Sequence, residues 1–163
     1  MSEDMLASAS TAYVLALLIG CIAGLRTFTA PALVSWAAHL GWLNLNDTWL
    51  AVLGAVWTPR ILTLLAVGEF VADQLPTMPS RTAPAGFSGR IVSGAISGAA
   101  VGTAGGTMVG GLIAGIAGAV IGTLGGHAFR AQLAALFRRD RPAAFIEDAI
   151  AIGGALAIGV ALR

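Results

Sequence analysis

Residues 94–126 read GAISGAAVGTAGGTMVGGLIAGIAGAVIGTLGG. Gly94, Gly98, Gly102, Gly106 and Gly110 recur at intervals of four, and Gly118, Gly122 and Gly126 keep the same spacing after Gly111 and Gly115. This interval sets each series along one helix face. Small residues at i and i+4 let two backbones approach closely, which is how helices associate in lipid. The pairs Gly105-Gly106 and Gly110-Gly111 mark a turn, so the tract predicts a glycine-faced hairpin of two helices, roughly 89–106 and 109–136. Gly94, Gly98, Gly102, Gly106, Gly118, Gly122 and Gly126 are its expected packing positions.

The chain on either side has the same character. It is 57% hydrophobic and 10% charged, where ordinary soluble domains carry roughly a quarter charged residues. So few charges cannot screen so much apolar surface from water. There is no Lys; all nine basic residues are Arg, and they are scattered under a net charge of +1. That excludes the basic stripe a nucleic-acid surface needs. At about 20 residues per span, 163 residues hold five or six crossings and little else. The expectation is an all-α polytopic membrane protein, residues 1–163 forming a single transmembrane domain of five helices, or six if the first segment is broken or re-entrant. The single Cys21 lies in an apolar run and reads as a small core hydrophobe. Acidic Glu3 and Asp4 stand where a secretory signal would be basic, so the first segment is expected to be retained.

That first apolar stretch, from about Ala9 to Trp42, is interrupted by Gly24-Leu25-Arg26-Thr27-Phe28-Thr29-Ala30-Pro31. It reads either as a broken element or as one long kinked helix. Asp47 or Thr48 is placed to cap the next helix. This helix starts near Trp49, bends or restarts at Pro59-Arg60, and ends at Leu75. Pro76 to Ser88 is a loop on composition. After Arg138-Arg139-Asp140-Arg141-Pro142 a last helix runs from Ala143 to Leu162. The arginines of the 76–90 and 138–141 segments flank the hairpin and put both on the cytoplasmic side. Trp42, Trp49 and Trp57 suit the outer aromatic belt, and His39 beside Trp36 an interface. His127 reads as a core hydrogen-bonding residue.

Ile19-Gly20 through Gly24 echoes Ile121-Gly122 through Gly126, and each half carries acids in a later apolar helix. Halves 1–85 and 86–163 would then form an inverted repeat, as in many secondary transporters; the other reading is coincidence in a Gly/Ala-rich alphabet.

Charges within apolar helices are the functional candidates, since an ionised group near a bilayer centre costs about 2.5–3.5 kcal/mol on insertion scales. They are Arg26, Glu69, Asp73, Arg130, Glu147 and Asp148. Glu69 and Asp73, four apart, share a helix face. There they could chelate a hard cation or share a proton, or lie at a helix end, solvated or paired with Arg81 or Arg90. Glu147 and Asp148 diverge by about 100° around their helix, and acids early in a helix also suit its dipole. Arg26 and Arg130 are the natural counter-charges. No phosphate loop, nucleophile elbow, metal dyad or cofactor signature is legible, so an enzyme is not expected.

The Gly24–Pro31 break, Glu69-Phe70-Val71-Ala72-Asp73-Gln74-Leu75-Pro76 with Pro79-Ser80-Arg81, and Gly89-Arg90 with the Gly/Ala tract resemble an uncharacterised family of bacterial integral-membrane proteins, a domain of unknown function. The resemblance spans about Tyr13 to the final helix. It implies the bacterial inner membrane and carries over no activity. The function expected is a small transporter or channel for an ion or small solute, with its carboxylates handling a cation or proton, as a homo-oligomer in the lipid bilayer. The alternative is a structural or assembly protein associating through its glycine faces.

Overall fold

A computed structural model describes residues 3–73, 83–138 and 140–163. Over these residues the chain forms α1 (Glu3–Leu25), α2 (Thr29–His39), a short 3-10 helix (Trp49–Gly54), α3 (Thr58–Ala72), α4 (Pro84–Ala104), α5 (Met108–Phe137) and α6 (Asp140–Ala161). There is no strand among them. The predicted loop after Leu75 lies largely outside the described residues, Arg81 included, as does Arg139 between α5 and α6; the loop's last part is already helix, with Pro84 opening α4. Proline suits that place because the first turn of a helix needs no N–H from it.

Helix directions follow from which glycine meets which neighbour. Cβ atoms built on Gly94, Gly98 and Gly102 would stand 2.7 Å from Ala119 Cβ, Gly115 Cα and Gly111 Cα in turn. The order descends, so α4 and α5 are antiparallel. On α1, Gly20 lies on Gly115, and Gly24 on Ala119, Gly122 and Thr123. That order ascends, so α1 and α5 run parallel. Three helices thus meet backbone to backbone, with room for no side chain between them. Gly118 and Gly122 face Leu17 and Cys21 of α1. Gly126 lies against Leu25 and the Glu147 carboxylate. Gly106 is a correction: it sits in the α4–α5 turn with φ +71 and packs against nothing within 4 Å. Its use is the left-handed conformation that only glycine adopts freely.

Of the five or six membrane crossings expected, length and composition support two, and six α-helices form among the described residues. Six helices alternate in direction, because the chain breaks at Arg26–Phe28 and returns. Phe28 is bonded to α3 at Glu69 and Trp36 to Thr63, so α3 in turn runs antiparallel to α2. By length and composition, Met108–Phe137 and Pro142–Ala161 are apolar enough to cross a membrane. Ala9–Leu25 of α1 is a shorter apolar helical stretch, α2 has 11 residues, about 16 Å at 1.5 Å per residue, and α3 has 15. Thr48 caps the 3-10 helix, its hydroxyl accepting from Leu50 N–H at 3.2 Å.

The two echo segments lie side by side, Gly20 and Gly24 of α1 against 115–123 of α5. Their likeness has a packing reason: both supply small residues to one interface. Polarity is arranged inside out. Leu64, Leu136 and Val160 are 73%, 75% and 76% exposed, while Arg26 and Glu147 are 0% and 1% exposed. Ser35, Ser97 and Thr123 are buried as well. In a protein surrounded by water the large apolar side chains take the inner places.

Candidate functional site

The site forms where α1 stops. Arg26 N–H still bonds to Ile22 C=O at 2.8 Å, and α2 begins only at Thr29. Phe28, at the N-cap, has no capping side chain of its own, so the backbone amides at the break need an acceptor from elsewhere. Glu69 of α3 provides it. Its two carboxylate oxygens accept from Thr27 N–H at 2.8 Å and Phe28 N–H at 3.0 Å. The Ser93 hydroxyl of α4 donates to the Thr27 carbonyl. The break is therefore pinned from α3 and α4.

Pinning it aims Arg26 inward. One guanidinium nitrogen donates to Asp73, the residue that closes α3, and another to Asp148 of α6. Phe70 presents its ring to the same guanidinium, 5.0 Å from its centroid. Arg26 thus ties α1, α3 and α6 through two ion pairs. The preceding residue on α6, Glu147, faces elsewhere, towards Arg130 of α5 at 3.9 Å. The roughly 100° step between neighbours on a helix gives the two acids different partners. Arg90 is buried three residues before Ser93.

All six candidate charges therefore gather at one end of the bundle, where α1, α3 and α5 finish and α4 and α6 start. Their pairing is Arg26 with Asp73 and Asp148, and Arg130 with Glu147. Glu69 departs from the expected carboxylate pair. It shares the helix face with Asp73 but binds backbone amides, whereas Asp73 binds Arg26. Among the described residues no group of three or more His, Cys, Asp or Glu side chains could hold a metal ion. His127 is exposed on α5 rather than buried, a second correction; the inner face of that helix is taken by glycines and Thr123. His39 bonds to Gly54 C=O at 3.0 Å and meets Trp36 edge-on at 5.9 Å. Phe70 and Ser93 were not legible as members of the site: a ring and a hydroxyl carry no positional signal.

A groove of about 380 Å³ lies at the opposite end, lined by Thr11, Ala12 and Leu15 of α1, Trp42, Val101 and Leu162 among others. None of the six charges borders it.

The Glu69 contacts carry a first prediction. Glu69→Ala removes two charge-assisted bonds to the break and should cost about 1.5–3 kcal/mol, while Glu69→Gln, which keeps one oxygen, should cost about half as much. Chemical unfolding in detergent reads both. Equal stability of Glu69→Ala and wild type would contradict the capping role.

No protein-family model matches the chain, and neither the curated proteins nor the solved structures include a match to it.

Proposed function

We propose that this chain is a small multi-pass transporter or channel of the bacterial cytoplasmic membrane for an ion or small solute, with the Arg26–Asp73–Asp148 triad as its charge-handling element. The membrane reading is supported by two helices long and apolar enough to span and by the apolar exterior over a charged interior. Its exposed residues are those that lipid tails accept. The end bearing Arg90, Arg130 and Arg138 faces the cytoplasm, as the distribution of arginines favours.

The observation that carries the transport reading is a guanidinium, 0% exposed, held between carboxylates of two other helices at a helix break. Stability does not explain such a group. Desolvating an ion pair offsets much of its attraction, and well-packed apolar residues are often as good or better. Buried intramembrane charges mark pathways and relays, and interrupted helices are where transporters place their sites. The glycine faces are consumed between α1, α4 and α5 of one chain, so homo-oligomerisation would use other surfaces. One observation favours a scaffold role instead: Glu69 gives both its oxygens to backbone.

Reconstitution into liposomes of phosphatidylethanolamine and phosphatidylglycerol, with fluorescent reporters of H⁺, Na⁺ and K⁺, tests the proposal. Wild type should carry at least one of these ions above empty liposomes, and Asp73→Asn/Asp148→Asn should lower that flux about tenfold or more, the 1.4 kcal/mol scale of one altered charge contact. No flux in wild type, or full flux in the double variant, would sink it.

A further inference from the structure

Ser93, Ser97 and Val101 of α4 recur at intervals of four and share one helix face. The contacts at the two ends of this stripe orient it. Ser93 donates to the Thr27 carbonyl at the break, and Val101 lines the groove at the opposite end of the bundle. Gly94, Gly98 and Gly102 take the neighbouring face and lie on α5, while α1 and α2 also pack on α4. The stripe therefore runs inside the bundle from groove to break, about 12 Å along the helix axis.

Ser97 stands midway. It is 0% exposed, and its hydroxyl meets no hydrogen-bond partner among the described residues. By contrast Ser35, Ser93 and Thr123, also buried, each donate to a backbone carbonyl. A hydroxyl buried without a partner is destabilising, and alanine would fit the same space. A small polar guest such as water satisfies a group of this kind. Two more such groups lie at the break end of the stripe: the Thr29 hydroxyl and the Arg26 Nε–H are buried and meet no hydrogen-bond partner among the described residues. The groove, about 380 Å³, supplies the way in. It is formed by α1, α4, α6 and the segment after α2, and Val101 and Leu43 on its inner wall are buried. Past them Ile19, Ala100 and Ser97 leave no accessible surface, so a guest there is no larger than a water-sized particle.

We infer that the groove is the outer mouth of a narrow aqueous path that descends the Ser93 face of α4 to Arg26, with the Ser97 hydroxyl as the station that holds water or a small inorganic ion on the way. This rests on the transport reading above and narrows its substrate class from small solutes in general to inorganic ions. Its test reads access rather than flux.

In a Cys21→Ala background, Ser97→Cys replaces the hydroxyl with a thiol of similar shape. Ala99→Cys is the control, equally buried on α4 but about 200° round the helix from Ser97. Right-side-out and inverted membrane vesicles are treated with Ag⁺ or with the bulkier trimethylammonium-ethyl methanethiosulfonate, and surviving thiols are counted with a maleimide after denaturation. In right-side-out vesicles Ag⁺ should consume the Ser97→Cys thiol at least about tenfold faster than the Ala99→Cys thiol, which reacts only on local opening. The bulky reagent should spare both. Adding Ala104→Trp, at an exposed position of the groove wall, should bring the Ser97→Cys rate down to that of the control. Ser97→Ala should unfold at or above the wild-type midpoint in detergent, since its hydroxyl supports no bond within the protein. The inference is overturned if the two thiols react alike, if filling the groove leaves the rate unchanged, if Ag⁺ reaches Ser97→Cys only in inverted vesicles, or if Ser97→Ala is clearly less stable. Reaction with the bulky reagent as fast as with Ag⁺ overturns the restriction to inorganic ions. Access at Ser97 without flux in wild type would leave the path standing and remove the transport function; flux with Ser97 inaccessible would do the reverse.

Discussion

Arg26→Met should lower stability by about 3–5 kcal/mol, seen as a large drop in the chemical-unfolding midpoint in detergent and loss of a monodisperse peak in size exclusion. The side chain is wholly buried and its two partners come from α3 and α6. Removing it strands two carboxylates where water reaches them poorly, and the penalty is that of the stranded charges rather than the worth of the pairs. The triple variant Arg26→Met/Asp73→Leu/Asp148→Leu should therefore recover most of the loss. It removes the whole triad and leaves apolar groups beside the Phe70 ring. Glu69 still caps the break in that variant, because its partners are backbone amides. If the triple variant is as unstable as the single one, the triad is a structural keystone and the case for a functional charge weakens.

The second large effect lies at the glycine crossing. Gly115→Ala puts a Cβ into the Gly94 carbonyl and 2.9 Å from Gly98 Cα. Both are backbone atoms of a packed helix and cannot rotate aside, so α4 and α5 must separate. Overpacking of this kind costs about 1–3 kcal/mol or more, against a helix-propensity gain of only about 0.5–1 kcal/mol from replacing Gly by Ala. Gly118→Ala, aimed into the Leu17 carbonyl and 2.8 Å from Cys21 N, should behave alike. Gly125→Ala is the control: nothing lies within 4 Å of its Cβ, so only the gain of about 0.5–1 kcal/mol should remain. Opposite signs at neighbouring glycines of one helix, read by thermal unfolding, would establish that spacing and not glycine content makes the interface. Equal effects at Gly115 and Gly125 would contradict it.

Much of this arrangement is legible in the sequence because the alphabet is so restricted. In an apolar string a four-residue glycine interval has few other uses, and the α4–α5 hairpin lies within a few residues of the expected limits. The charges are so few that Arg26 and Arg130 had almost no other partners within reach than Asp73, Asp148 and Glu147. The break at Arg26 is likewise marked by Gly24 and Pro31. What escapes the sequence is what depends on a third element. The role of Glu69 is set by the Thr27 and Phe28 amides of the break between α1 and α2, which leave no trace in residue identity. The direction of α2 depends on how a three-residue break folds back. Gly106 kept the interval of four yet fell in the turn, where backbone conformation decides. The outward position of His127 was fixed by the glycines that took the inner face of α5.

The triple variant also gives the most direct measurement. Its flux should be compared with wild type in the same liposomes, at matched protein density and after its unfolding midpoint has been shown to be near wild type. The account predicts a folded, membrane-inserted protein that no longer carries the ion. A folded triple variant carrying the ion at the wild-type rate would contradict it.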